Sequence, residues 1–319
     1  MSLNEIFSLK KRKSLTPFRD KKIELNLLAL SPDGAFLGVT HQEGEVAIFE
    51  TRTHKRLYRE QSPIEDSGVN WTIFMFRDWF SWGMCFGEHT GRPLPGRTLP
   101  EVSFLPKYEQ MLGPGPGGDA MLRAENTNHP ISLCGASKER PFVSFPRDEY
   151  WSARGVWSEA CRRGVFTEEH WLDGSDFLGA KISVVNAVGE RLHQWQLDDG
   201  NITSAGEDYV AAIDPKGRWI AAGGSSFEGI KVWNLRTQEL QRCQHKGNIF
   251  SLCASPEGRL VVGVTGQQAI IWEIGRADPV HVIPVKTGNC YSVVWREGAL
   301  YLLTKTKILF WEYKPKDVG

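Results

Sequence analysis

Four times the chain repeats one short pattern: an apolar run, a tight turn, a second apolar run, and a third run that ends in an aromatic residue. The first copy reads Leu27 to Leu30, Ser31-Pro32-Asp33-Gly34, Phe36 to Val39 and Val46 to Phe49. The second reads Val210 to Ile213, Asp214-Pro215-Lys216-Gly217, Trp219 to Ala222 and Ile230 to Trp233. Ile249 to Ala254, Ser255-Pro256-Glu257-Gly258, Leu260 to Val264 and Ala269 to Trp272 make the third. The fourth is worn: Tyr291 to Trp295, Arg296-Glu297-Gly298, Leu300 to Leu303 and Ile308 to Trp311. Short runs rich in Val, Ile, Leu and aromatics suit buried strands, whereas helices need longer ones. Pro fixes one backbone angle of each turn and Gly accepts the positive one.

Pro215 and Pro256 stand 41 residues apart, and Trp272 and Trp311 stand 39 apart. A period of about 40 to 45 residues with four strands in each is the signature of a propeller. A further blade end is legible at Ile182-Ser183-Val184-Val185-Asn186, with Gly189-Glu190-Arg191-Leu192 as its turn and outer strand. The expected fold is all-β: a β-propeller of seven blades, each of four antiparallel strands, at about 46 residues per blade. It forms a single domain over residues 1–319, with irregular insertions at roughly 87–120 and 159–178. The last repeat stops after its third strand, at Tyr313. Ile6 to Leu9 is then expected to supply the missing strand and close the ring, which removes two open sheet edges.

At this point the residues resemble the WD-repeat family, whose third strand ends in Trp-Asp. The corresponding pairs are Trp233-Asn234, Trp272-Glu273, Trp311-Glu312 and Phe49-Glu50. The resemblance covers residues 23 to 57 and roughly 180 to 313. In well-formed WD repeats a His, a Ser or Thr, an Asp and the Trp form a hydrogen-bonded tetrad. Here His245 stands at the proper distance before its strand, but Gly266-Gln267-Gln268 replaces the Asp turn. The resemblance therefore implies a divergent member whose blades lean on apolar packing.

Thirty-eight acidic side chains balance thirty-eight basic ones, so no global field draws the chain toward nucleic acid or anionic lipid. No apolar stretch approaches the roughly 20 residues that span a bilayer, and the first residues lack the apolar segment of a secretory signal. A cytoplasmic protein is expected. The nucleus is the alternative if Lys10-Lys11-Arg12-Lys13, with Arg19, Lys21 and Lys22, is an import signal rather than a solvated turn. The six cysteines form no CxxC pair, which removes support for zinc or a disulfide framework. Cys253 and Cys290 fall on expected first strands, where a reduced thiol acts as a small hydrophobe.

Residues 63 to 180 break the rhythm. Trp71, Phe74, Phe76, Trp79, Phe80, Trp82 and Phe86 crowd one stretch, where they either fill gaps between sheets or form an exposed patch that anchors a partner. Pro93, Pro95, Pro100 and Pro106 precede Gly113-Pro114-Gly115-Pro116-Gly117-Gly118, and prolines at that density leave few donors for a sheet, so this stretch reads mostly as loop. A GxGxxG match there lacks the strand-to-helix context of a dinucleotide site. Farther on, a strand through Tyr150 to Ser158 carries Trp151 and Trp157, and Glu168, Glu169, Asp173 and Asp176 read as a solvated acidic hairpin beside His170.

No GxSxG elbow, HExxH or P-loop is present, so no enzyme and no cofactor or metal is expected. The resemblance implies a non-enzymatic, monomeric scaffold that binds one or more proteins or peptides. Candidate contact residues are Trp79, Phe80, Trp82, Trp151 and Trp157. A narrower alternative is a substrate receptor of a ubiquitin ligase, because Trp233-Asn234-Leu235-Arg236 and Phe49-Glu50-Thr51-Arg52 approximate that family's Trp-Asp-x-Arg box and would make Arg52 and Arg236 the docking residues. A propeller hydrolase or lyase is the other alternative.

Overall fold

The computed structural model describes residues 7–12, 14–18, 24–62, 71–84, 89–98, 109–115, 120–125, 131–135, 143–145, 152–172, 176–198, 209–224, 229–286 and 289–316. All regular structure among them is β, arranged as seven antiparallel sheets that follow one another along the chain. Sheet 1 is β2 (Leu25–Leu30), β3 (Phe36–His41), β4 (Glu45–Glu50) and β5 (Arg56–Gln61). Sheet 2 has three described strands, β6 (Trp71–Met75), β7 (Trp79–Met84) and β8 (His89–Pro93). Sheet 3 is β9 (Glu109–Pro114), β10 (Ala120–Glu125), β11 (Ile131–Gly135) and β12 (Val143–Phe145). Sheet 4 is β13 (Ser152–Ser158), β14 (Arg163–Leu172), β15 (Asp176–Asn186) and β16 (Arg191–Asp198). Sheet 5 is β17 (Val210–Ile213), β18 (Trp219–Gly223), β19 (Gly229–Asn234) and β20 (Leu240–Gln244). Sheet 6 is β21 (Ser251–Ala254), β22 (Leu260–Val264), β23 (Gln268–Glu273) and β24 (Pro279–Pro284). Sheet 7 is β25 (Cys290–Arg296), β26 (Ala299–Thr304) and β27 (Ile308–Pro315), completed by β1 (Phe7–Lys11) from the other end of the chain. The register of that last pairing runs from Phe7 opposite Pro315 to Lys11 opposite Trp311.

The first strands adjoin in sequence order, β2 against β6, β6 against β9, and so on to β25, which lies against β2. Each core cluster sits between consecutive sheets. Leu28, Leu37 and Phe49 meet Tyr301, Leu303 and Phe310 between sheets 1 and 7, and Ala221, Ile230 and Trp219 meet Val261, Ile270 and Trp272 between sheets 5 and 6. A sheet covered on both faces buries every residue of its middle strands, which is why β3, β22 and β26 read as continuous apolar runs rather than alternating ones. The outer strands β5 and β20 are exposed or half-buried over most of their length and carry Arg, Glu and Gln.

Two stretches depart from their sequence reading. Glu109 to Pro114 forms β9, so part of the Gly-Pro run is strand rather than loop tip. β9 is the edge strand of its sheet, where proline's missing donor breaks no ladder. Glu168 and Glu169 are buried instead of solvated: Ser183 Oγ lies 3.5 Å from Glu168, and the Tyr209 amide donates to Glu169 at 3.3 Å. The side chains of His170 and Asp176, and all of Asp173, lie outside the described residues.

Candidate functional site

The sheets have two unlike ends. At one, the tight turns that follow β2, β17 and β21 are held locally, and neighbouring sheets are clasped together. Ser31 Oγ accepts from the Phe36 amide at 2.9 Å and Ser255 Oγ from the Leu260 amide at 3.0 Å, while Asp214 accepts from the Arg218 amide at 2.9 Å. Arg218 also pairs with the fully buried Asp214 at 2.7 Å and donates to the Glu257 and Gly258 carbonyls at 2.8 Å. Trp219 Nε1 donates to the same Gly258 carbonyl at 2.8 Å. These bonds fasten sheet 5 to sheet 6. Arg163 reaches the Gly217 carbonyl at 3.1 Å from sheet 4, and Arg296 reaches the Thr51 carbonyl at 3.3 Å from sheet 7. Tyr313 donates to Glu257 at 2.5 Å, and its hydroxyl is pushed well above the usual phenol range by burial and then by that carboxylate. At this end Arg163, Arg218 and Arg296 each bind a turn carbonyl of a neighbouring sheet.

The aromatic residues singled out in the sequence lie inside. Trp79, Phe80 and Trp82 are 1%, 0% and 0% exposed, so the exposed-patch reading is corrected. Phe80 and Trp82 wedge sheet 2 against sheet 1, where Tyr58 meets Phe80 edge-on at 5.4 Å and Trp82 Nε1 donates to the Gly44 carbonyl at 3.1 Å, while Trp79, on the other face of β7, stacks on Phe76 with centroids 4.0 Å apart. Both faces of β7 are covered, so rings at consecutive positions all find a core. Beside them His89 is buried between Ser81 Oγ at 3.2 Å and the Met84 carbonyl at 3.0 Å. Burial pushes its imidazole down to about 4.

Trp157 is half-buried, with Nε1 donating to Glu159 at 3.0 Å. Trp151 lies outside the described residues. Arg52 and Arg236 are exposed, and among the described residues neither guanidinium has a partner. They occupy equivalent turns after β4 and β19, in which His54 and Gln238 adopt positive φ and donate to the Glu50 and Asn234 carbonyls at 2.8 Å. Those turns belong to sheets 1 and 5, which are not neighbours, so the two arginines form no joint site. The Cys290 thiol is pushed up to about 12 by burial, and Cys253 is raised by the same cause. Among the described residues no group of three His, Cys, Asp or Glu could hold a metal ion, and no helix is long and apolar enough to cross a membrane.

The opposite end of sheets 6 and 7 is chemically different. Phe250, just before β21, is 42% exposed, and its ring lies 6.4 Å from Tyr291. Gly266 sits between Phe250 and Asn289: a Cβ there would stand 3.8 Å from each. Asn289 donates to the Tyr291 hydroxyl at 2.8 Å. Backbone bonds knit the surrounding loops together, with Phe250 to Val264, Val285 to Gln267, Cys290 to Gly266 and Lys305 to Asn289 all at 2.8–3.1 Å. These loops carry Lys246, Lys286, Lys305 and Lys307, and their described residues 245–250, 265–267, 285–286, 289 and 304–307 include no Asp or Glu. Lys305 pairs with Glu24. Lys246, Lys286 and Lys307 are exposed and have no partner among the described residues. None of these residues stands out in the sequence; the missing carboxylates are the only signal they leave there.

The sequence matches no protein-family profile, and no curated protein matches it. The likeness to WD repeats therefore rests on the quoted residues alone. His245 does lie edge-on to Trp272 at 6.4 Å, and the Gln268 amide stands 3.4 Å from its ring, in the place where the WD pattern has an Asp.

Proposed function

We propose that the chain is a divergent WD-repeat-like propeller, closed by β1, that acts as a non-enzymatic scaffold for protein partners. Closure is supported by the cyclic adjacency of the first strands and by the pairing of β1 with β27. A ring of stiff sheets holds its loops in fixed relative positions, which suits recognition. One observation carries the reading: Phe250 is 42% exposed, and the loops at its end of sheets 6 and 7 carry Lys246, Lys286 and Lys307, each exposed and without a partner among the described residues. A surface that contributes little to folding yet combines charge with an aromatic side chain is suited to a partner. Affinity purification of the tagged chain from its native cell tests this. A protein partner recovered in near-stoichiometric amount is the expected result, and a chain that elutes alone under gentle salt contradicts it.

A second reading, an adaptor contact of a ubiquitin ligase through Arg52 and Arg236, is supported by the exposure of both unpaired guanidiniums. Loss of one co-purifying protein from the double variant Arg52→Glu, Arg236→Glu is its expected signature.

A further inference from the structure

Building on the scaffold reading, we propose that the end of sheets 6 and 7 around Phe250 docks an acidic peptide segment that lays an apolar side chain against the Phe250 ring. Two independent features specify this partner. The first is charge. In a chain of zero formal charge, Lys246, Lys286 and Lys307 stand on loops joined by backbone bonds and have no carboxylate in reach among the described residues. Cations with no ion-pair partner among the described residues leave this surface positive, and such a surface attracts an anionic ligand and raises its on-rate by steering.

The second is shape. Phe250 and Tyr291 meet at 59° rather than in parallel. They offer an edge and a face to an inserted side chain, not the flat successive platforms on which nucleic-acid bases stack. Gly266 keeps the floor between Phe250 and Asn289 open, since any side chain there would contact both. The Asn289 amide, already held by the Tyr291 hydroxyl, is placed to meet the peptide backbone. Acidic residues around a central apolar one therefore match the surface better than an oligonucleotide does.

The test is a phage-displayed random-peptide selection on the full chain, followed by anisotropy measurements on the enriched peptides. The comparison proteins are the triple variant Lys246→Glu, Lys286→Glu, Lys307→Glu and the single variant Phe250→Ala; all four positions are exposed, and circular dichroism checks the fold. Enriched peptides are expected to carry surplus Asp and Glu with an aromatic or large aliphatic residue. They should bind at least tenfold more weakly to the triple variant and to Phe250→Ala, and weaken as salt rises. Neutral or basic enriched sequences, no patch-dependent enrichment, or equal competition by single-stranded oligo(dT) would overturn the proposal. If a native partner still co-purifies equally with wild type and the triple variant, the acidic-peptide site fails while the scaffold reading stands. If none co-purifies with wild type, the scaffold reading itself fails.

Discussion

Phe7 is the residue on which closure by β1 most depends. It is 0% exposed, packs in the cluster between sheets 6 and 7, and places its ring 5.8 Å from Tyr313 and 6.5 Å from His281. Of the rest of β1, Leu9 is half-buried against the same cluster, and Ser8, Lys10 and Lys11 are exposed. Truncating a buried Phe to Ala costs about 3–5 kcal/mol. That loss falls on the docked strand alone, because a detached β1 has already given up the contact. A penalty of 3 kcal/mol multiplies the detached population about 100-fold. Trypsin reads this directly: Lys10 and Lys11 lie within β1 and are cleavable only when it peels away from β27. When reclosing outpaces cleavage, the rate follows the open population. Phe7→Ala should therefore be cut at these lysines about 100-fold faster than wild type, and Ser8→Ala at the wild-type rate. Equal cleavage of Phe7→Ala and wild type, with both folded by near-UV circular dichroism, would refute the docking of β1.

Three further outcomes follow from the same structure. His89 has its pKa depressed to about 4 against an unfolded value near 6.5, so its contribution is fully present above pH 6.5 and is lost as pH falls toward 4. Between pH 7.5 and 5 this amounts to about 2 kcal/mol; a His89→Gln variant should show a correspondingly smaller drop in urea midpoint, and an unchanged drop counts against the buried neutral imidazole. Gly44 has φ +77, and an added Cβ would stand 2.4 Å from the buried indole of Trp71, so Gly44→Ala should cost about 3 kcal/mol or more. Gly275, at φ +95 with nothing within 4 Å, should cost only about 1–2 kcal/mol on the same change, and equal thermal shifts would deny the Trp71 contact. Arg218→Met should lower thermal stability more than Arg236→Met, because buried Asp214 loses its guanidinium partner and sheet 6 loses two of the bonds that clasp it to sheet 5; matching melting curves would contradict the clasp.

The regular sheets were legible because their chemistry is local. Val210–Ile213 and Leu260–Val264 coincide with their apolar runs, and the Pro-x-Gly turns between strands adopt the positive φ at Gly34, Gly217 and Gly258 that their glycines announce. The middle resisted for reasons that only tertiary structure supplies. Pro114 is tolerated because β9 is an edge, and Glu169 is buried because an amide 40 residues away meets it. Trp79 and Trp82 read equally well as surface anchors or as core until it is known that both faces of β7 are covered, the Trp82 face by sheet 1. The Phe250 surface was hidden twice over. Its ring falls inside an apolar run that looks like strand, yet β21 begins only at Ser251, and its lysines, spread between positions 246 and 307, stand on loops that backbone bonds join only once sheets 6 and 7 pack together.

The central claim is a ring of seven sheets shut by the chain's own first strand. Electron density for the isolated protein, by single-particle imaging or crystallography, tests it most directly. The account predicts seven radial sheets around one axis, with residues 7–11 running antiparallel beside 311–315. An open arc, a different number of sheets, or residues 7–11 lying away from Trp311 would contradict it.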